Sequence, residues 1–328
     1  MNIEFLIEHN KKLYSPVLEG GITWSTDRKG SPGQLDFTVI KESSVISDEE
    51  YDELDFAEGD HVRLRIDEID VFYGFVFKKK RNKQGTISVI AYDQLRYLKN
   101  KDTYVYDNKT ASEIVRMITS DFNLQTGDIE DTQYKITSRV EKNTSLFDII
   151  QNALDETLYY KQKMYVLYDD YGKIALKDIE NMKLDALIDE ETAEDFDYTS
   201  SIDSNTYNKV KLTYDNDETK TREVYIAQHG ENMNKWGVLQ LFETLNEGEN
   251  GQMKADALLS LYNKKTRNLS IKNAFGDIRV RAGSLLPVML NLGDMQVQSY
   301  MLVEKCKHEI KDGVHLMNLT LRGGEFVV

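Results

Sequence analysis

An apolar pattern that begins at Gly59 returns near the C-terminus at Gly283, and nothing else in the chain limits its fold as much. From Gly59, Val62, Leu64 and Ile66 stand at offsets three, five and seven, with Arg63 and Arg65 between them. From Gly283, Leu286, Val288 and Leu290 take the same offsets. Period-two alternation places one face of a strand in a core and the other in water. Each copy continues into a second apolar strand, 73–77 or 300–303, then a charged segment ending in Gly85 or Gly313. A last alternating strand follows, Ile87, Val89 and Ala91 or Met317, Leu319 and Leu321. The two glycines are 26 residues apart in one copy and 30 in the other, so the middle requires a gap. Any two β-meanders share alternation, so the pattern by itself admits either coincidence or a duplicated domain. Its period, over two hundred residues, rules out a solenoid.

Around this pattern, residues 1–98 read as mainly β, with turns at Gly20-Gly21 and Ser31-Pro32-Gly33 and strands at 22–24 and 35–39. Residues 42–58 read as an acidic loop. Lys78, Lys79, Lys80, Arg81 and Lys83 fall in a stretch, 78–85, that reads as a hairpin tip, since such charges are not buried unpaired. Residues 99–184 change character. Thr110 and Glu113 form a capping-box pair ahead of Ile114, Val115, Met117, Ile118 and Phe122, and Ser145 with Asp148 repeats it before Ile149, Ile150, Ala153 and Leu154. A hairpin with its turn at 169–172 completes an α+β module unlike a dinucleotide-binding unit. Residues 185–203 hold eight acids and no Lys or Arg and read as an exposed connection. Residues 204–328 read as a second β domain, opening with a hairpin whose tip is 215–219 and including a helix at 251–265.

The search for chemistry returns little. Glu304, Cys306 and His308 lie two apart on one strand and so face one side, but strand neighbours at this spacing are rooted nearly 7 Å apart. A nucleophile and its base normally meet from different elements, so a structural role is the simpler account. Asp215, Asp217 and Glu218 lack the glycine and distant Glu of a calcium loop. His9, His61, His229, His308 and His315 show no zinc-binding spacing, and no glycine-rich phosphate loop is present. Neither a cofactor nor a metal is expected. The net charge of −15 disfavours groove binding to nucleic acid. A single cysteine excludes an intrachain disulfide framework. The N-terminus lacks the pattern of a signal peptide, and no apolar run is long enough to span a membrane. The reading is synthesis in a reducing cytosol, without membrane insertion.

The ordered fragments then resemble a known family. They are QLDFTV at 34–39, FAEGDHV at 56–62, VFYGFV at 71–76, AYDQLRYL at 91–98, NKTASE at 108–113 and SLFDII at 145–150. GVLQ at 237–240, the 255–262 helix, AGSL at 282–285, and a closing run from His308 to HLMNLTL at 315–321 continue the series. Together they are similar to the baseplate hub proteins of PBSX-like prophages, the XkdQ/YqbQ type, related to hubs of contractile tails and phage-derived bacteriocins. The resemblance implies an α+β, mainly β fold with two tail-tube-like antiparallel β-barrel domains and a small α+β domain between them. It implies a homotrimer whose six barrels form a pseudo-sixfold ring between a hexameric tail tube and a trimeric spike. Partners would be other copies of the chain, the tube, the spike and other baseplate components, with DNA only as passing cargo. The family brings no catalytic residues, and a chain ending at Val328 is not expected to hold a fused hydrolase. Lys78, Lys79, Lys80, Arg81 and Lys83 become candidate contacts with a neighbouring subunit or an acidic partner. An acidic channel lining, from 42–58 or 185–203, would repel DNA. The alternatives are a tail-associated cell-wall hydrolase and a host-surface adhesin.

Overall fold

The computed structural model describes residues 1–323 except 48, 49, 53, 84, 217–219, 247 and 293–295, and no side chains are described for 41–53. Seven strands open the chain: β1 (Ile3–His9), β2 (Lys12–Asp27), β3 (Gln34–Ser47), β4 (Glu50–Asp52), β5 (His61–Ile66), β6 (Ile69–Arg81) and β7 (Thr86–Tyr92). Six of them close a barrel in the order β2-β1-β5-β6-β7-β3, with β3 returning to β2, and every pairing is antiparallel. Ile7, Leu35, Val39, Val62 and Leu64 fill it at 0% exposure, each burial contributing about 1.5–3 kcal/mol. The expected acidic loop at 42–58 is in part strand. The arms of β2 and β3 pair beyond the barrel as far as Ser15 and Val45, and β4 turns back along β3, so the ladder carries this segment.

A two-turn 3-10 helix, Gln94–Lys99, leaves the barrel with Asp93 as its cap. The middle module holds β8 (Lys101–Tyr106), β9 (Lys109–Thr110), α1 (Ala111–Asp121), β10 (Thr126–Ile129), β11 (Lys135–Ile136), β12 (Arg139–Ser145), α2 (Leu146–Lys161), β13 (Tyr165–Asp169) and β14 (Ile174–Asp178). Both helices start where the caps place them. Thr110 and Glu113 satisfy each other's backbone N–H, and Ser145 accepts from the Asp148 amide. Ile114, Val115 and Ile118 of α1 meet Ile149, Ile150 and Ala153 of α2 in one core.

The acidic 185–203 segment is not merely a connection. It supplies β15 (Ile188–Asp189) and β16 (Asp195–Ser201) to a second sheet. Phe196 and Tyr198 turn toward the core while Asp195, Asp197 and Thr199 face water. The chain then leaves the sheet for a separate unit: β17 (Lys209–Asn216), β18 (Thr221–Gln228), α3 (Gly230–Trp236), β19 (Gln240–Thr244) and α4 (Gly251–Tyr262). The expected helix at 251–265 therefore ends at Tyr262, and it packs with β17 and β18 on Val210, Leu212, Ala227 and Leu258 rather than inside the second sheet. Back in that sheet come β20 (Thr266–Phe275), β21 (Leu285–Asn291), β22 (Gln296–Lys311) and β23 (Val314–Gly323).

The second sheet runs β15-β21-β22-β23-β20-β16, the same neighbour order as β1-β5-β6-β7-β3-β2. Chain order matches too, with the β17–α4 unit inserted where the first copy has a short turn. The correspondence reaches single bonds. Gly59 N–H donates to the Val76 carbonyl and Gly283 N–H to that of Val303, both at 2.8 Å. Val76 N–H returns to Asp60, and Val303 N–H to Ser284, both at 2.9 Å. The two glycines have φ of +96° and +97°, a conformation that side chains resist. One residue past each valine, the ladder to the following strand slips by a bulge, at Phe77 and at Glu304. Beyond it Ala91, Val89 and Ile87 occupy the places of Leu321, Leu319 and Met317. Across to the far edge, Leu35 and Trp24 match Leu269 and Tyr198. The copies part at the remaining edge: β15 runs parallel to β21, whereas β1 runs antiparallel to β5, and no ladder joins β15 to β16.

Candidate functional site

Two copies of one sheet must be joined, and the join is a continuous strand ladder. The distal half of β22 pairs antiparallel with β2, from Asp27 opposite Lys305 to Ile22 opposite Ile310, so both sheets share one ladder. At its head the bulge turns Glu304 toward Arg28, which binds it with two N–H groups at 2.7 and 3.1 Å. Arg322 adds a third contact at 2.9 Å. Burial works to raise the Glu304 carboxyl, but the Arg28 pair and Arg322 hold it below its usual range. In the middle Trp24 stacks on His308 with ring centres 4.9 Å apart.

This geometry decides the case of Glu304, Cys306 and His308. They do not share one side, because the bulge takes Glu304 away to the arginines. Cys306 and His308 come closer than their strand spacing implies, with Sγ 3.1 Å from Nε2. The chemistry is nevertheless inert. Nε2 lies 2.8 Å from the Val280 carbonyl, an obligate acceptor, so Nε2 carries the proton. The free lone pair is on Nδ1, which accepts from His315 Nε2–H at 2.8 Å and faces away from the thiol. Burial pushes the Cys306 thiol up and the His308 imidazole down to about 3, so both stay neutral.

The middle module locks onto the seam through a buried acidic pair. Asp93, from the first barrel, accepts from Gly33 N–H at 2.8 Å and Leu95 N–H at 3.0 Å. Asp169, from β13, accepts from Gly172 N–H at 2.6 Å. Arg281, from the second sheet, lies 4.3 Å above the Tyr168 ring and 6.0 Å from that of Trp24. Burial raises Asp93, with Asp169 adding to the rise, and burial lifts Asp169 to about 7. A second network ties α2 to the inserted unit: Arg139 pairs with Glu156 and with Glu249, and Lys254 reaches Glu249 at 3.0 Å. Both networks hold parts together.

A cleft of ≈ 640 Å³ lies between α2 and the second sheet. Two ion pairs cross its lining, Lys29 with Asp155 at 3.1 Å and Lys163 with Asp178 at 3.4 Å. Among the described residues no three His, Cys, Asp or Glu side chains gather as metal ligands. Asp215 is held by Arg222 at 2.6 Å, while Asp217 and Glu218 lie outside the described residues.

The basic run is placed differently from expectation. Lys78 to Arg81 continue β6, pairing with 87–90 of β7, so these four residues are strand and not hairpin tip. Lys79 folds inward, its ammonium 4.6 Å above the Phe56 ring and bonded to the Phe56 carbonyl. Lys78, Lys80, Arg81 and Lys83 are exposed.

A closed barrel tied by one long strand to a second copy of its own sheet gives this chain a fold shared with phage tail proteins of known structure. The 43 kDa tail protein of prophage MuSo2 from Shewanella oneidensis superposes with a TM-score of 0.68, over 97% of both chains at 13% identity. The E. coli c3393 protein, a type VI secretion component described as structurally similar to T4 tail proteins gp27 and gp5, aligns with a TM-score of 0.58. That match covers 99% of this chain and 78% of c3393 at 10% identity. In sequence, the phage-like element PBSX protein XkdQ of Bacillus subtilis strain 168 is 32% identical over 298 residues, 89% of this chain and 88% of XkdQ. The YQBQ-like family matches residues 22–322, and the chain belongs to it. It is a structural protein of the phage tail and baseplate type.

Proposed function

We propose that the chain is the hub of a phage-like contractile tail, a homotrimer joining a hexameric tube to a trimeric spike. The observation that carries this reading is the duplication, matched down to the Gly59–Val76 and Gly283–Val303 bonds. Two near-equivalent units per chain let three chains offer six similar contacts to the tube while keeping threefold symmetry for the spike. The similarity of c3393 to gp27 and gp5 supports the same place in the particle. In this reading the partners are further copies of the chain, the tube, the spike and neighbouring baseplate proteins, and DNA passes only as cargo. The chain is made in the cytoplasm, incorporated into the particle and not an enzyme. No helix among the described residues is long and apolar enough to cross a membrane. Native mass measurement of the chain with its tube and spike partners, followed by imaging of purified tails, tests the proposal. It predicts three copies at the tube–spike joint; two, four or six copies, or a position elsewhere in the tail, would refute it.

A further inference from the structure

The seam inside the chain has a vacant counterpart. Within one chain, β22 past its bulge pairs with β2. By the duplication, β6 past its bulge corresponds to distal β22, and β16 corresponds to β2. Neither is filled in the same way. β16 ends the sheet, with β20 on one side and no described strand on the other. Lys78 to Arg81 have β7 on one side, and β5 has already stopped opposite Phe75. Among the described residues before Gly59, none pairs with this edge. Phe56 sits where Val280 sits: its carbonyl binds Lys79, as the Val280 carbonyl takes the hydrogen bond of Cys306, the residue corresponding to Lys79. An unpaired strand edge is a template for another strand.

We propose that distal β6 of one protomer pairs antiparallel with β16 of the next copy of this chain, in the register of the β2–β22 seam. This deepens the trimeric ring reading and rests on it. Carrying the observed register across sets Arg81 opposite Tyr198, Lys80 opposite Thr199 and Lys78 opposite Ser201. Charge favours the match. Among the described residues no ion pair engages Lys78, Lys80, Arg81 or Asp197, while Asp195, on the same outward face of β16, is held by Lys272 at 3.0 Å. Asp197 falls diagonal to Lys80, within reach of a long side chain. Arg81 meets the Tyr198 ring where His308 meets Trp24 inside the chain. The contact is head-to-tail, so each chain uses one edge to give and one to receive, and three seams between chains alternate with three within them.

The test is disulfide trapping in tail particles assembled with all their other components. Lys80→Cys with Thr199→Cys is the matched pair; Lys80→Cys with Asp197→Cys keeps the same faces but shifts the register. Cys306 is buried and stays in place. A directly opposed pair meets disulfide geometry and a shifted one does not, so oxidation traps the matched pair at least about tenfold more efficiently, as covalent dimers and trimers on a non-reducing gel. Lys80→Glu cuts the yield of particles, and Asp197→Lys in the same chain restores it. Trimers that cross-link only through the shifted pair, or through neither, overturn the strand pairing and leave the ring standing. Particles without a trimer of this chain overturn both.

Discussion

Gly59 and Gly283 form a matched pair on which the duplication can be measured. Both have φ near +97°, so alanine at either place costs about 1–2 kcal/mol of backbone strain. Their surroundings differ. A Cβ on Gly59 meets nothing within 4 Å, whereas one on Gly283 lies 2.6 Å from Val166 Cγ1 and 3.1 Å from its Cγ2. Val166, on β13, is 2% exposed and packed against the second sheet, so it cannot swing into solvent. Overpacking of this kind adds about 1–3 kcal/mol. Gly59→Ala is therefore expected to cost about 1–2 kcal/mol and Gly283→Ala about 2–5 kcal/mol. Val166→Ala removes the opposing methyls and costs about 1–3 kcal/mol alone. Combined with Gly283→Ala it recovers most of the overpacking, a favourable coupling of about 1–3 kcal/mol, but shows none with Gly59→Ala. Urea unfolding followed by tryptophan fluorescence reads these values, with Trp24 reporting from the seam. Equal costs at the two glycines, or strict additivity of Gly283→Ala with Val166→Ala, would refute the argument.

Asp169, lifted by burial to about 7, stabilises the fold most when protonated. That contribution is full below its unfolded value near 4 and is lost as pH rises through about 7. Asp169→Asn should therefore gain stability relative to wild type as pH rises from 5 to 8, and a constant difference across that range would sink the assignment. Arg139→Met leaves Glu156 and Glu249 facing each other without their shared cation, an expected loss of about 3–5 kcal/mol at neutral pH that shrinks in acid. The same denaturation series, repeated at two pH values, measures it. Cys306, buried and kept neutral, should resist a thiol reagent in the native chain and react fully in denaturant. Prompt labelling of native protein would show the seam to be open.

Much of this was legible because local signals and the fold agree. The Thr110 and Ser145 caps, the period-two rows from Val62 and Leu286, and the alignment of Gly59 with Gly283 all recur in place. Where structure and sequence pattern part, the cause is shared: a charged stretch reads as loop when it is strand. Asp195 and Asp197 alternate with Phe196 and Tyr198, a half-buried edge strand whose rhythm was present beneath its acidity. Lys78 to Arg81 remain strand because β7 runs alongside as far as Ile87, a pairing partner that no local pattern announces. The separate core of the inserted unit was hidden for a similar reason. The apolar face of α4 does not say which of two nearby sheets it will meet. The seam itself has no signature in composition, since β2 and β22 carry ordinary strand sequences and meet only through the topology of both copies.

The double membership of β22 has a mechanical consequence. Its first half belongs to one sheet, its second half bridges to the other, and no flexible linker lies between. Sliding one half past the other must break the whole rung series from Ile22–Ile310 to Asp27–Lys305 together. A slip of one residue turns every inward side chain outward, so the next tolerable setting lies two residues on, about 7 Å away. The offset between the two units is thus quantised rather than elastic. A pull or twist applied to one reaches the other as rigid displacement, up to the load at which the ladder shears.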